Sequence, residues 1–151
     1  MSDITQIKDK LMLLLQEVGI KAGAEQISII DRGYPHKLSF TEGKMFIYTF
    51  QYNDQFLKIG KAGAKSKARL FSHHYHHDRS ASNLAKSIIG DSTIPTSNLT
   101  KESIGDWIKK NIRRVDIELD SSLGIFTLNY IEAILHCLYL PKYEGFEAQR
   151  I

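Results

Sequence analysis

The stretch KMFIYTFQYNDQFLKIGKA, residues 44–62, decides how the chain is read. Two runs rich in β-branched and aromatic side chains, 44–50 and 55–62, flank the polar loop Gln51, Tyr52, Asn53 and Asp54, and that pattern predicts an antiparallel hairpin. Downstream, residues 63–66 read as loop and KARLFSHHYHHD (67–78) as a helix with Ala68, Leu70, Phe71 and Tyr75 available for packing. Asp78 and Ser80 interrupt it, and SASNLAKSII (80–89) reads as a second short helix with a Ser cap and Gly90 as its stop. After a loop over 91–99, Thr100, Glu102 and Ser103 can cap a helix running through Asn111. VDIELD (115–120) alternates like a strand with Val115, Ile117 and Leu119 on one face, and Leu123 to Leu140 forms a long apolar helix broken at Pro141.

Upstream, Ile4, Ile7, Leu11, Leu14, Leu15 and Val18 recur at three- and four-residue steps, which predicts an amphipathic helix capped by Asp3 or Ser2 and ended by Gly19. Residues 24–40 suggest a short strand, a turn at Gly33 to Pro35, and room for another strand. Strands and helices are segregated rather than alternating. The expected architecture is α+β, a small antiparallel sheet of about three strands flanked by helices.

The chain has 151 residues, 42% apolar and 25% charged, with 10 Gly and 3 Pro, enough for one core and hardly for two. Residues 1–43 are therefore expected to be a helix and extension packing on a core of residues 44–151, as one compact unit. The longest apolar run, Leu11 to Leu15, is far below the ~20 residues that cross a bilayer, so no membrane partner is expected. The first residues lack the pattern of a secretory leader. The single Cys137 excludes an internal disulfide framework and a Cys-based zinc site. These features point to a reducing, cytoplasmic setting. Cys137 is expected as a small core residue and His136 beside it as structural.

The net charge of +3 says little about a polyanionic partner, but its distribution says more. Lys58, Lys61, Lys65, Lys67 and Arg69 follow one another with no acid between them, and Lys109, Lys110, Arg113 and Arg114 form a second cluster. Such blocks are solvated surface or phosphate-binding patches.

Chemistry-bearing residues fall on these elements in a definite order. Phe46, Ile47 and Tyr48 lie on the first hairpin strand, and Lys58, Ile59 and Gly60 on the second. Arg69 opens the next helix, His73 follows one turn later, and Glu132 sits in the late apolar helix NYIEAILHCLYLP. This ordered set resembles the GIY-YIG endonuclease superfamily over about residues 44–145. The resemblance implies a metal-dependent DNA endonuclease that cuts a phosphodiester by water attack with one divalent ion, Mg²⁺ or Mn²⁺.

The residue chemistry agrees with that implication. If Tyr48 and Lys58 face each other across the hairpin, the ammonium favours phenolate and lets Tyr48 accept a proton from water. Arg69 would clamp a phosphate with its planar fork, Glu132 would hold the divalent ion, and His73, four residues after Arg69, could relay a proton. Lys61, Lys65 and Lys67 would meet the nucleic-acid backbone. His74 and His77 would touch phosphate, as would Ser80 and Ser82 at the start of the following helix, where capping is the plainer role.

Two departures from the family pattern stand out. Lys58 occupies a position commonly held by tyrosine, and Glu144, shortly after Pro141, stands where asparagine is often found. Three other readings compete with the nuclease. The His73–His77 run has a spacing that would suit zinc, although only Asp78 stands by as an acidic partner. Trp107 could stack a base, but Ile104, Trp107, Ile108 and Ile112 share a helical spacing that favours the core. The whole chain could also be a nuclease-like module that has lost activity and only binds nucleic acid or protein. The apolar N-terminal helix is expected to pack on the core or to form a homodimer contact.

Overall fold

The computed structural model describes residues 3–67, 71, 73–77 and 84–144. Four strands, β1 (Ile27–Asp31), β2 (Lys44–Tyr52), β3 (Gln55–Ala62) and β4 (Arg113–Asp120), form one antiparallel sheet in the order β1, β4, β2, β3. The described α-helices are α1 (Lys8–Glu17), α2 (Leu84–Ile89), α3 (Ile104–Asn111) and α4 (Ile125–Tyr139). The fold is α+β, as expected. Through β1, which pairs with β4 from Ile27 opposite Leu119 to Asp31 opposite Val115, the described N-terminal residues 3–43 are joined to the same sheet.

Strand β2 explains the layering. Met45, Phe46, Ile47, Tyr48, Thr49 and Phe50 are all buried, and a continuous run of this kind needs cover on both faces. On one face Met45, Ile47, Ile59, Val115, Ile117 and Leu119 pack with Leu11 and Leu15 of α1 and with Leu128, Ile131 and Leu135 of α4. On the other face Tyr48, Phe50 and Leu57 meet Tyr75, Leu84, Ala85 and Ile88, together with Ile104 and Ile108 of α3. Among the described residues no helix is long and apolar enough to cross a membrane.

A bulge in the hairpin sets which side chains share a face. Gln51 pairs with Phe56 and Phe50 pairs with Lys58, so Leu57 is the extra residue of β3. Phe56 joins the α1/α4 core and Leu57 the opposite one, and beyond the bulge Lys58 and Gly60 lie on the face of Tyr48 and Phe50.

Element ends follow local chemistry. The Asp3 carboxylate accepts the Thr5 N–H at 2.8 Å and caps a 3-10 turn, Ile4–Gln6, ahead of α1, and Gly19 adopts a left-handed φ of 81° beyond it. At the start of α3, Thr100 and Ser103 bond reciprocally, Thr100 N–H to Ser103 Oγ at 2.9 Å and Ser103 N–H to Thr100 Oγ1 at 3.2 Å. Strand β4 begins at Arg113, two residues before the alternation in the sequence.

The packed side of α4 is well defined, and one expectation for this helix is corrected. Its buried stripe is Leu128, Ile131, Leu135 and Tyr139, with Leu138 exposed, because successive steps of three, four and four residues rotate position 138 off the packed side. Cys137 is likewise exposed and not a core residue.

Candidate functional site

Tyr48 is fully buried on β2 and stands opposite Gly60 of β3. A Cβ on Gly60 would overlap Tyr48 Oη, so the phenol crosses the edge strand through the space that glycine leaves open. Lys58 pairs with Phe50, not with Tyr48, which corrects the expected direct facing. The bulge shifts the register, and Tyr48 and Lys58 become diagonal neighbours on one face.

Lys58 is nearly buried and its ammonium pairs with the Glu144 carboxylate at 3.1 Å. The next edge-strand lysine, Lys61, points to the opposite face and pairs with Glu132 of α4 at 2.6 Å. Glu132 is partly buried, its side chain 17% exposed. One turn earlier on α4, Asn129 Oδ1 is buried with no hydrogen-bond partner among the described residues. Tyr48 and Glu132 therefore come from opposite faces of the sheet and reach consecutive residues, Gly60 and Lys61, of the same edge strand.

The remaining expected site residues are distributed as follows. Arg69, Ser80 and Ser82 lie outside the described residues. His73 is the first residue of a 3-10 turn, His73–Tyr75. His74 is fully buried, its ring 4.1 Å from that of Tyr48 and 5.1 Å from that of Phe50 by centroids, so it is a core residue and not a surface phosphate contact. His77 is half-exposed, and Lys65 and Lys67 are exposed. The Lys67 ammonium lies 5.5 Å from the centroid of the Phe40 ring. Among the described residues no three His, Cys, Asp or Glu side chains are grouped to hold a metal ion.

Both cation blocks are less uniform than their sequence suggests. Lys58 and Lys61 are paired with acids from the C-terminal part of the chain. In the second block, Arg113 bonds Asp3 at 2.9 Å and Asp31 at 3.1 Å, and Arg114 is fully buried. Arg114 therefore does not belong to an exposed nucleic-acid patch. Trp107 packs partly buried against the core, its ring 6.0 Å from that of Tyr52.

Arg114 anchors a network that sequence reasoning missed. Asp116, opposite Tyr48 across β4, accepts from Arg114 Nε at 2.8 Å and from Arg32 Nε at 2.7 Å, and all three side chains are buried. Arg114 Nη1 donates to Tyr75 Oη at 2.8 Å, and Tyr75 lies 2.9 Å from His36 Nδ1. His36 Nε2 meets the Ile112 carbonyl. A carbonyl only accepts, so this bonding assigns the proton to Nε2 and leaves Nδ1 to accept from the Tyr75 hydroxyl.

Burial first, and then the positive charges of Arg114 and Lys109, hold His36 down at about 4, against the opposing pull of the Ile112 carbonyl and Asp116. Burial likewise raises Tyr75. The Arg114 guanidinium lies 5.9 Å from the Tyr48 ring centroid and 5.2 Å from that of Phe50. Among the described residues, the buried cluster on the Tyr48 face thus holds two guanidiniums, Arg32 and Arg114, and the carboxylate of Asp116.

A concavity of about 580 Å³, lined by Tyr34, Asn53, Asp54, Asn111 and Arg113 among others, opens at the turn of the hairpin instead. Its guanidinium is committed to Asp3 and Asp31. In comparisons with known proteins, no family model, no curated protein and no solved structure matches the chain.

Proposed function

We propose that the protein is a metal-dependent DNA endonuclease of the GIY-YIG type, with its active centre at the β3 edge around Gly60 and Lys61. The observation that carries this reading is the Tyr48 phenol lying across Gly60 while Glu132 reaches the adjoining Lys61. Tyr48 is the group that takes a proton from the attacking water, helped by the Arg114 guanidinium near its ring, a cation that favours phenolate. Lys58 contacts the scissile phosphate, with Arg69 and His73 as clamp and proton relay.

Glu132, with Asn129 one turn earlier, supplies hard oxygen donors that fit Mg²⁺ or Mn²⁺. Such an ion, when bound, stabilises charge on the leaving oxygen. Lys61 then has two roles, holding Glu132 and, with Lys65 and Lys67, meeting the DNA backbone. Leu13 and Val18, more than half exposed on and just after α1, support the homodimer contact. A cytoplasmic setting belongs to the same reading.

The test is incubation of single- and double-stranded DNA with Mg²⁺ or Mn²⁺ and wild type, Tyr48→Phe or Glu132→Ala. Wild type is expected to cut, with each variant slower by about a hundredfold or more. Wild type leaving both substrates intact with either ion overturns the proposal. One observation favours a second reading, a binding module without activity: Tyr48 is fully buried, with the His74 ring 4.1 Å from its own by centroids. DNA bound with equal strength by wild type and Glu132→Ala, and cut by neither, would establish that reading instead.

A further inference from the structure

The two residues that depart from the family pattern, Lys58 and Glu144, are bonded to each other. Lys58 is a poor candidate for an unpaired cation, because its side chain is only 11% exposed and a buried ammonium without a counter-ion is costly. Glu144, at 29%, is the more accessible partner. Its delivery is built into the fold. After α4, Lys142 N–H bonds the Phe56 carbonyl and Tyr143 N–H the Leu57 carbonyl, each at 2.9 Å, so the segment lies along the free edge of β3.

Asp91 anchors that segment from the side. It accepts from Lys142 Nζ and from Tyr143 Oη, both at 2.6 Å. Burial raises Asp91, but the hydrogen bonds from Lys142, Thr93 and Tyr143 outweigh it and keep the carboxyl ionised well below the usual range. Glu144 N–H then bonds the Pro141 carbonyl at 3.2 Å, and this turn brings the Glu144 carboxylate to Lys58 on the Tyr48 face.

We propose that Glu144 is a resident stand-in for substrate phosphate: its carboxylate occupies the Lys58 ammonium, and a phosphodiester engages Lys58 only by displacing it. The chemistry is an exchange of one oxyanion for another on the same three N–H donors. The Lys58–Glu144 contact opens and a Lys58–phosphate contact forms. Glu144 thereby sets a threshold for nucleic-acid binding at the edge strand. The inference rests on the proposed function only in taking a phosphodiester as the incoming anion.

The test is anisotropy of a labelled single-stranded oligonucleotide in chelator, so that nothing is cut, over a range of salt. Glu144→Gln is isosteric and keeps the turn. It is expected to tighten binding roughly tenfold at low salt and to steepen the salt dependence by about the 0.7 that one added phosphate contact contributes. The double variant Lys58→Gln/Glu144→Gln should lose both gains, which separates a local exchange from a general change in net charge.

Glu144→Gln binding no tighter than wild type overturns the proposal, as does a gain that survives in the double variant. Glu144→Ala must change affinity in the same direction, so the result does not hang on one substitution. A protein that cuts no DNA but gains affinity through Lys58 sinks the nuclease reading and leaves this one standing. A protein that cuts DNA but shows no gain does the reverse.

Discussion

The two faces of the sheet are covered in different ways. The face under α1 and α4 is apolar in its centre, from Ile4 and Leu11 to Ile131 and Leu135, with two threonines bonded to backbone carbonyls and the Lys61–Glu132 pair at its edge. The face under α2 and α3 buries Arg32, His36, His74, Arg114 and Asp116 among its aromatic rings. Apolar packing is non-directional and tolerant, whereas a buried charge must be matched by particular partners at particular distances. The apolar centre of the first face can therefore hold the sheet together without placing any single group, and the second places Tyr48 while making the fold depend on each member of the network.

The comparison breaks most visibly at Asp116. Asp116→Asn keeps the volume but removes the carboxylate that two buried guanidiniums share, at an expected cost of roughly 3–5 kcal/mol. Denaturant unfolding would measure it. A loss below about 1 kcal/mol would show that the network is not organised around that carboxylate.

Leu11→Ala tests the apolar face by the same measurement. Leu11 is fully buried, and its truncation should cost about 3 kcal/mol through lost transfer energy and a cavity. The folded fraction should bind oligonucleotide as wild type does, because no polar group of the edge strand is disturbed. Altered affinity in folded Leu11→Ala would contradict the division of labour between the faces.

The same contrast decides what could be read from the sequence. The hairpin, α1, β4 and α4 were legible because apolar periodicity reports burial directly, and the α1/α4 core is made of that signal alone. The polar network was not, because Arg114, Asp116 and Glu118 alternate with Val115, Ile117 and Leu119 just as the solvent side of a one-face strand would. A clue did exist. Residues 45–50 of β2 are apolar or uncharged without alternation, which calls for cover on both faces, so the charged positions of a neighbouring strand had to lie inside.

Lys58 facing Tyr48 failed for a different reason. The tight turn that pairs Tyr52 with Gln55 would by itself set Lys58 opposite Thr49, and the bulge at Leu57 carries it on to Phe50; loop composition announces neither. Pairing of charges distant in sequence, Lys58 with Glu144 and Lys61 with Glu132, was equally invisible, because a run of cations carries no mark of which acids fold onto it.

The smallest expected effect separates the faces by pH. His36 belongs only to the polar side, where it accepts from Tyr75 and donates to the Ile112 carbonyl. Protonating Nδ1 would set an N–H against the Tyr75 hydroxyl and add a cation beside Arg114. The folded value of about 4 lies below the ordinary 6.5. Between them the unfolded chain binds more protons than the folded one, so this stabilisation is complete above about pH 6.5 and is lost as pH falls towards 4. Wild type should lose on the order of 2 kcal/mol across that window. The carboxyls of Asp3 and Asp91, held well below the usual range, add their own losses only in stronger acid. His36→Gln should start less stable at neutral pH and change much less over the same window, since its side chain does not titrate. Urea midpoints for both proteins at several pH values would show it, and parallel curves would place the acid-sensitive group elsewhere than on the polar face at His36.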